Sequence, residues 1–253
     1  MKHVAYITIL FATNFFSLAG CNRRTDTAPP SKSITAALDG AIISGTVTLN
    51  GPCVDDACFA CGDQNCQQAA VTAEHWIVRN EKVANAFVYI KDGLGNRTYD
   101  PPNDPVILDQ RTCVYRPHVV GLVAGQTLKV LNSDQTLHNV HLTSETPSEC
   151  FNKLFPAGMA PLEQPMKTPG VMKTLKCDVH SWMNCYVGVL PHPFFAVSDS
   201  SGHFEIKGVP PGAYTLELWH ESSRGTEAAI VQTKKLIVTG KEPKEADFAI
   251  EAR

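Results

Sequence analysis

In the stretch LKCDVHSWMNCY, residues 175–186, a cysteine, a histidine and a methionine fall at every third position: Cys177, His180 and Met183. Thiolate, imidazole and thioether are donors suited to a soft or borderline transition ion. A mononuclear copper site built from one Cys, two His and a weak Met needs the first three to converge in a plane, with the thioether more distant. One short loop can supply three of these donors, so the fourth must come from a strand far away in sequence. TLHNVHLT, residues 136–143, offers His138, with His141 as a competitor placed on the same strand face. The competing reading pairs Cys177 with Cys185 or Cys150 and leaves His180 and Met183 as packing residues.

The elements around these residues are those such a site needs. GVMKTLKC before the loop and CYVGVL after it read as strands that hold its two ends. Elsewhere, runs such as AIISGTVTLNG, ANAFVYIKDG, HVVGLVAGQTLKVLN, FFAVSDSSGHFEI, AYTLELWHE and KKLIVTG alternate β-branched or aromatic residues with polar ones, between Gly, Pro, Asn and Asp turns. Such spacing, without an amphipathic helical pattern, indicates all-β sandwiches or barrels.

The first 20 residues, MKHVAYITILFATNFFSLAG, have a charged start and an apolar run, the form of an export signal. They end directly before Cys21, and LAGC resembles the lipobox of bacterial lipoproteins, in which Cys21 would carry lipid. The alternative is an ordinary signal peptide with an incidental cysteine. Residues 21–39, polar and rich in Pro, Ser and Thr, read as a flexible spacer. No later run reaches the ~20 apolar residues of a spanning helix. The chain is therefore expected to be tethered to a bacterial membrane, facing periplasm or cell surface. Loss of Lys2 with the leader takes the formal net charge from −3 to about −4, which gives no reason to expect nucleic acid.

Three ordered features define an inner block, residues 101–191: the turn at Gly125 in VAGQTLKVLN, the His138–Asn139 pair, and Cys177-x2-His180-x2-Met183. Together they resemble the cupredoxins, the type 1 blue copper proteins, and among them amicyanin and plastocyanin, with the short loop at the amicyanin spacing. The resemblance implies a Greek-key sandwich holding one type 1 copper through His138, Cys177, His180 and Met183. It makes Asn139 the residue that ties the two ligand loops together. It also implies an apolar docking patch where the second histidine emerges, with Trp182 and Pro191 as candidates; packing over the metal is the other role for Trp182. Flanking the block, GTVTLNG and ANAFVYIKD, with Asp199, Gly202 and Phe204 and then Pro211, Gly212, Tyr214 and Leu216, resemble the carboxypeptidase regulatory-like, or transthyretin-like, sandwich. Residues 40–100 plus 192–253 would form that domain with the inner block inserted. A tandem arrangement is the alternative. The whole pattern is similar to bacterial proteins that join these two modules.

Nine cysteines in an exported chain make disulfides the default. Cys53, Cys58, Cys61 and Cys66 can also be read as a zinc or iron–sulfur set. The related two-module proteins imply a bridge between Cys58 and Cys113, and Cys150 and Cys185 flank the ligand loops as a second candidate pair. With Cys21 and Cys177 set aside the remaining number is odd, so one thiol is left over. His118 is either structural or a ligand for a second metal; His192, His203 and His220 show no site-like arrangement.

A thiol persists outside the cytoplasm when a metal holds it as thiolate. The leading expectation is a non-enzymatic carrier of single electrons between periplasmic redox proteins, such as a c-type cytochrome or an oxidase. The alternatives are a copper chaperone or buffer, with Met159, Met166 and Met172 as soft donors, and an adhesion or scaffold module.

Overall fold

The computed structural model describes residues 39–51, 58–59, 66, 71–72, 76–221 and 228–251. The leader, Cys21, the spacer and the side chains of Cys53, Cys58 and Cys61 lie outside the described residues. More than half of the described residues are in β-strands, arranged as sandwiches, and the 3-10 turn Pro147–Glu149 interrupts them. Among the described residues no helix is long and apolar enough to cross a membrane.

Strands from both ends of the chain share two sheets. Ala41–Asn50 runs antiparallel to His203–Val209 and parallel to Phe248–Glu251. Its side chains alternate between buried and half-buried along its length, the period-2 signature of a strand with one face in a core. Phe87–Asp92 lies between Phe195–Val197 and Gly212–His220, and the latter pairs with Ile230–Val238. Ile43, Val47, Ile90, Phe194, Phe204 and Leu216 fill the space between these two sheets.

The segment between Asp92 and Phe195 builds two further sheets. In the first, Thr127–Asn132 pairs with Leu162–Pro165 and, in parallel, with Val106–Arg111, which pairs with Val114–Arg116. In the second, the order is Phe151–Phe155, His138–Thr143, Gly170–Lys176, Asn184–Leu190 and Val119–Val123. Leu108, Leu128 and Val130 from one sheet meet Val140, Leu142, Leu175 and Val187 from the other. The expected Gly125 turn is present: Gly125 has φ +97°, and the Gln126 N–H bonds back to the Val123 carbonyl at 2.9 Å.

The two sandwiches meet through Phe87, Tyr89, Val119, Met172, Leu190 and Trp219. Gly121 and Gly188 face each other on adjacent strands of the inner sandwich. A Cβ at Gly121 would lie 2.3 Å from Phe195, and one at Gly188 would lie 2.7 Å from Phe87. The glycine pair thus leaves the hollow that two phenylalanine rings fill, so the sandwiches dock by close packing.

Candidate metal centre

His138 opens the strand His138–Thr143, and Cys177 follows the last residue of Gly170–Lys176. Because Leu142 pairs with Leu175 and His141 with Lys176, the antiparallel register carries His138 past the strand end to the level of the loop. The loop is closed at its neck by the Lys176–Asn184 pair. It is also closed internally, since the Met183 N–H donates to the His180 carbonyl and the Cys177 N–H to the Met183 carbonyl, each at 2.9 Å. Cys177, His180, Met183 and His138 are all buried.

Three donor atoms converge there. His138 Nδ1 lies 3.0 Å from His180 Nδ1, and Cys177 Sγ lies 3.8 and 3.7 Å from these two nitrogens. The circle through the three atoms has a radius of about 2 Å, and bonds from a first-row ion to imidazole nitrogen and thiolate sulfur run at ~2.0–2.3 Å. One ion therefore fits within reach of all three. Met183 packs in the same buried cluster as Cys177.

The electrostatics favour a cation. Burial opposes protonation of His138, but the Asp134 carboxylate and the Cys177 sulfur outweigh it and push its pKa up to about 9. Burial likewise opposes ionisation of Cys177, yet His138 and the backbone N–H groups of Asn139, His180 and Val179 bring the thiol below its ordinary value. A metal ion would meet the same demand for positive charge that a proton meets here.

Asn139 bonds across to the loop that carries Cys177. Its Oδ1 accepts the Asp178 N–H at 2.5 Å, and its Nδ2 donates to Asn152 Oδ1 at 2.6 Å and Asp178 Oδ2 at 3.1 Å. The side chain beside the first histidine thereby holds the residue beside the cysteine.

Asp134 has no place in the sequence reading. Its Oδ2 lies 2.9 Å from His138 Nε2, and its two oxygens accept the N–H groups of Thr112 and Cys113 at 2.6 and 2.9 Å. A carboxylate on the outer nitrogen of a ligating imidazole fixes ring orientation and tautomer. The available signal was a carboxylate four residues ahead of His138 in the turn SDQTLH.

Several expectations need correction. His141 does not share a face with His138: three residues is an odd spacing on a strand, so its ring turns outward and bonds Asp178 at 2.9 Å. Cys113 is bridged to Cys66, not to Cys58. Cys150 and Cys185 are both free thiols. Cys185 points into the core, where burial raises its pKa well above the ordinary value, whereas Cys150 lies exposed against the Ser144 carbonyl. His118 is buried and paired with Glu221, and no metal-ligating cluster among the described residues includes it. Trp182 is half-buried, with its ring centroid 5.2 Å from that of His180 and its Nε1 donating to the Cys113 carbonyl at 3.0 Å.

The chain matches no protein-family model, and no curated protein matches it. Among solved structures it is similar to several. The copper-containing nitrite reductase of Thermus scotoductus SA-01 is 19% identical, with 38% of this chain and 24% of that one covered, at a TM-score of 0.31. A purple cupredoxin from Nitrosopumilus maritimus is 20% identical over 34% of this chain and 99% of its own, at 0.29. A copper(I) amicyanin variant is 16% identical over 40% and 97%, at 0.31. These neighbours are cupredoxins. The chain spans about a quarter of the length of the reductase.

Proposed function

We propose that the protein carries single electrons through one copper ion held by His138, Cys177 and His180, with Met183 as a weaker fourth donor. The observation that supports this reading is the buried triangle of two imidazole nitrogens and one sulfur, 3.0 to 3.8 Å on a side. When bound, copper there supplies a one-electron couple. The chain's own residues keep the donors in place: Asn139 locks the two loops together and Asp134 holds the first ring, which limits rearrangement between oxidation states. Burial of His138 and His180 keeps bulk water from the donors. A carrier rather than an enzyme fits a donor set without an obvious position for substrate.

Within this reading the outer sandwich, residues 40–100 plus 192–253, acts as the mount for the inserted block, and Cys21 as the lipid anchor that keeps the carrier beside periplasmic redox partners. The chaperone reading has less support. Met166 and Met172 are buried in packing clusters, so of the three methionines that reading relies on only Met159 is exposed.

The test is the absorption and EPR spectrum of the copper-loaded chain. An intense visible band, expected of thiolate-to-copper charge transfer at His2Cys sites, should be present and should cycle reversibly with a one-electron oxidant and reductant. Cys177→Ser should abolish it. A wild-type chain that binds copper without colour, or a Cys177→Ser variant that stays blue, would overturn the reading.

A further inference from the structure

The second face of His180 looks onto a disulfide. Its Nδ1 belongs to the triangle described above, while its Nε2 lies 4.0 Å from Cys66 Sγ. Cys66 is bridged to Cys113, and all three residues are buried. The sulfurs of Cys66 and Cys113 and one ring nitrogen of His180 lie within 4.8 Å of one another.

The placement of Cys113 is costly. Thr112 and Cys113 form the two-residue turn between the strands Val106–Arg111 and Val114–Arg116, with φ +57° and +56°. Hairpin turns with both central residues left-handed are normally built from Gly, Asn or Asp, since other side chains are strained there. Asp134 offsets the cost by accepting both N–H groups of the turn, and Trp182 Nε1 bonds the Cys113 carbonyl. A strained turn held from two sides places a sulfur beside a candidate metal ligand, as is common where strain serves a site.

We propose that Cys66, Cys113 and His180 form a second, thiol-dependent site for copper(I), closed while the disulfide is intact and created when it is reduced. A dithiol gives two electrons and two protons to the Cys66–Cys113 bond; the S–S bond breaks, two thiols form, and the dithiol closes to its own disulfide. Copper(I) then displaces both thiol protons and the ring proton at Nε2 to solvent. Two thiolates and one nitrogen of the His180 ring, an imidazolate once its proton has left, are a soft donor set of the kind that selects copper(I) over harder ions. The Cα atoms of the two cysteines are 5.4 Å apart, so both sulfurs can reach one ion without a shift of either backbone. His180 would then bridge two ions.

This site rests on the electron-carrier reading only through the shared ring of His180, and the two can fail separately. Full-length protein, with the disulfide intact or opened by prolonged dithiothreitol treatment verified by mass, is loaded with excess copper(I) without oxygen and freed of small molecules. Copper per chain is then counted by elemental analysis. The reduced chain should hold one equivalent more than the oxidised chain, and Cys66→Ser/Cys113→Ser should gain nothing on reduction. A Cys53→Ser/Cys58→Ser/Cys61→Ser variant should keep the gain. No gain in the reduced wild type, or a gain that survives in the Cys66/Cys113 variant, would overturn the proposal. Should that variant fail to fold, copper X-ray absorption of the reduced Cys177→Ser chain decides: sulfur ligation must appear on reduction, and nitrogen or oxygen donors alone would refute it. A blue oxidised chain with no gain sinks this site alone; a colourless oxidised chain that gains an equivalent sinks the carrier reading and leaves this one.

Discussion

Cys177 and Cys185 show how position sets the chemistry of a thiol. Cys177 meets His138 and three backbone N–H groups that stabilise its thiolate, whereas Cys185, buried among apolar neighbours, is held protonated. Asp134 acts on the same centre from one residue further out. Removing its charge while keeping its shape, in Asp134→Asn, is expected to weaken copper binding by ~10- to 100-fold, the usual cost of losing the carboxylate behind a metal-bound histidine. Competition against a chelator of known affinity measures this. The intense absorption band should survive, because Cys177 is untouched; its loss together with the affinity would make Asp134 a folding residue only.

At the scale of elements, the site depends on one strand end and one loop being held in register. Asn139 is that link, since Asp178 and Asn152 both bond its side chain. Asn139→Ala leaves the Asp178 N–H without this acceptor, and a broken bond to a part-buried group costs about 1–3 kcal/mol. The expected result is a lower midpoint in chemical denaturation of the metal-free protein, with a shifted or broadened copper spectrum. An unchanged spectrum would mean that the neck pairing of Lys176 with Asn184 is enough to hold the loop. These linkages were partly legible in the sequence: a His followed by Asn, and a thiol loop between two alternating runs, are local patterns. The face taken by His141 was equally local, and counting its three-residue offset from His138 corrects it.

For the whole molecule, the return from the inner to the outer sandwich passes through His192. Burial lowers its pKa to about 4, and its Nδ1 accepts the Phe194 N–H at 3.2 Å. A histidine at 6.5 when unfolded and about 4 when folded contributes stability that is complete above pH 6.5. That stability is lost as pH falls toward 4, by up to about 3 kcal/mol. Denaturation midpoints measured at pH 7 and pH 4.5 should therefore differ less in His192→Gln, which keeps an acceptor for Phe194, than in the wild type. Equal acid sensitivity in both would show that the junction opens before it unfolds.

By itself the sequence determined the all-β class, through period-2 alternation and turn residues, and it pointed to the candidate donors, because Cys177, His180 and Met183 share one loop and His138 has its Asn139 neighbour. Both are encoded in residues close together along the chain. Only the tertiary structure decided that Cys113 pairs with Cys66 rather than Cys58, that Asp134 stands behind His138, and that a glycine pair receives Phe87 and Phe195. The physical reason is common to all three. Several cysteines within 14 residues offer equivalent spacings, and a carboxylate or a glycine has no partner until distant strands bring one within a few ångströms.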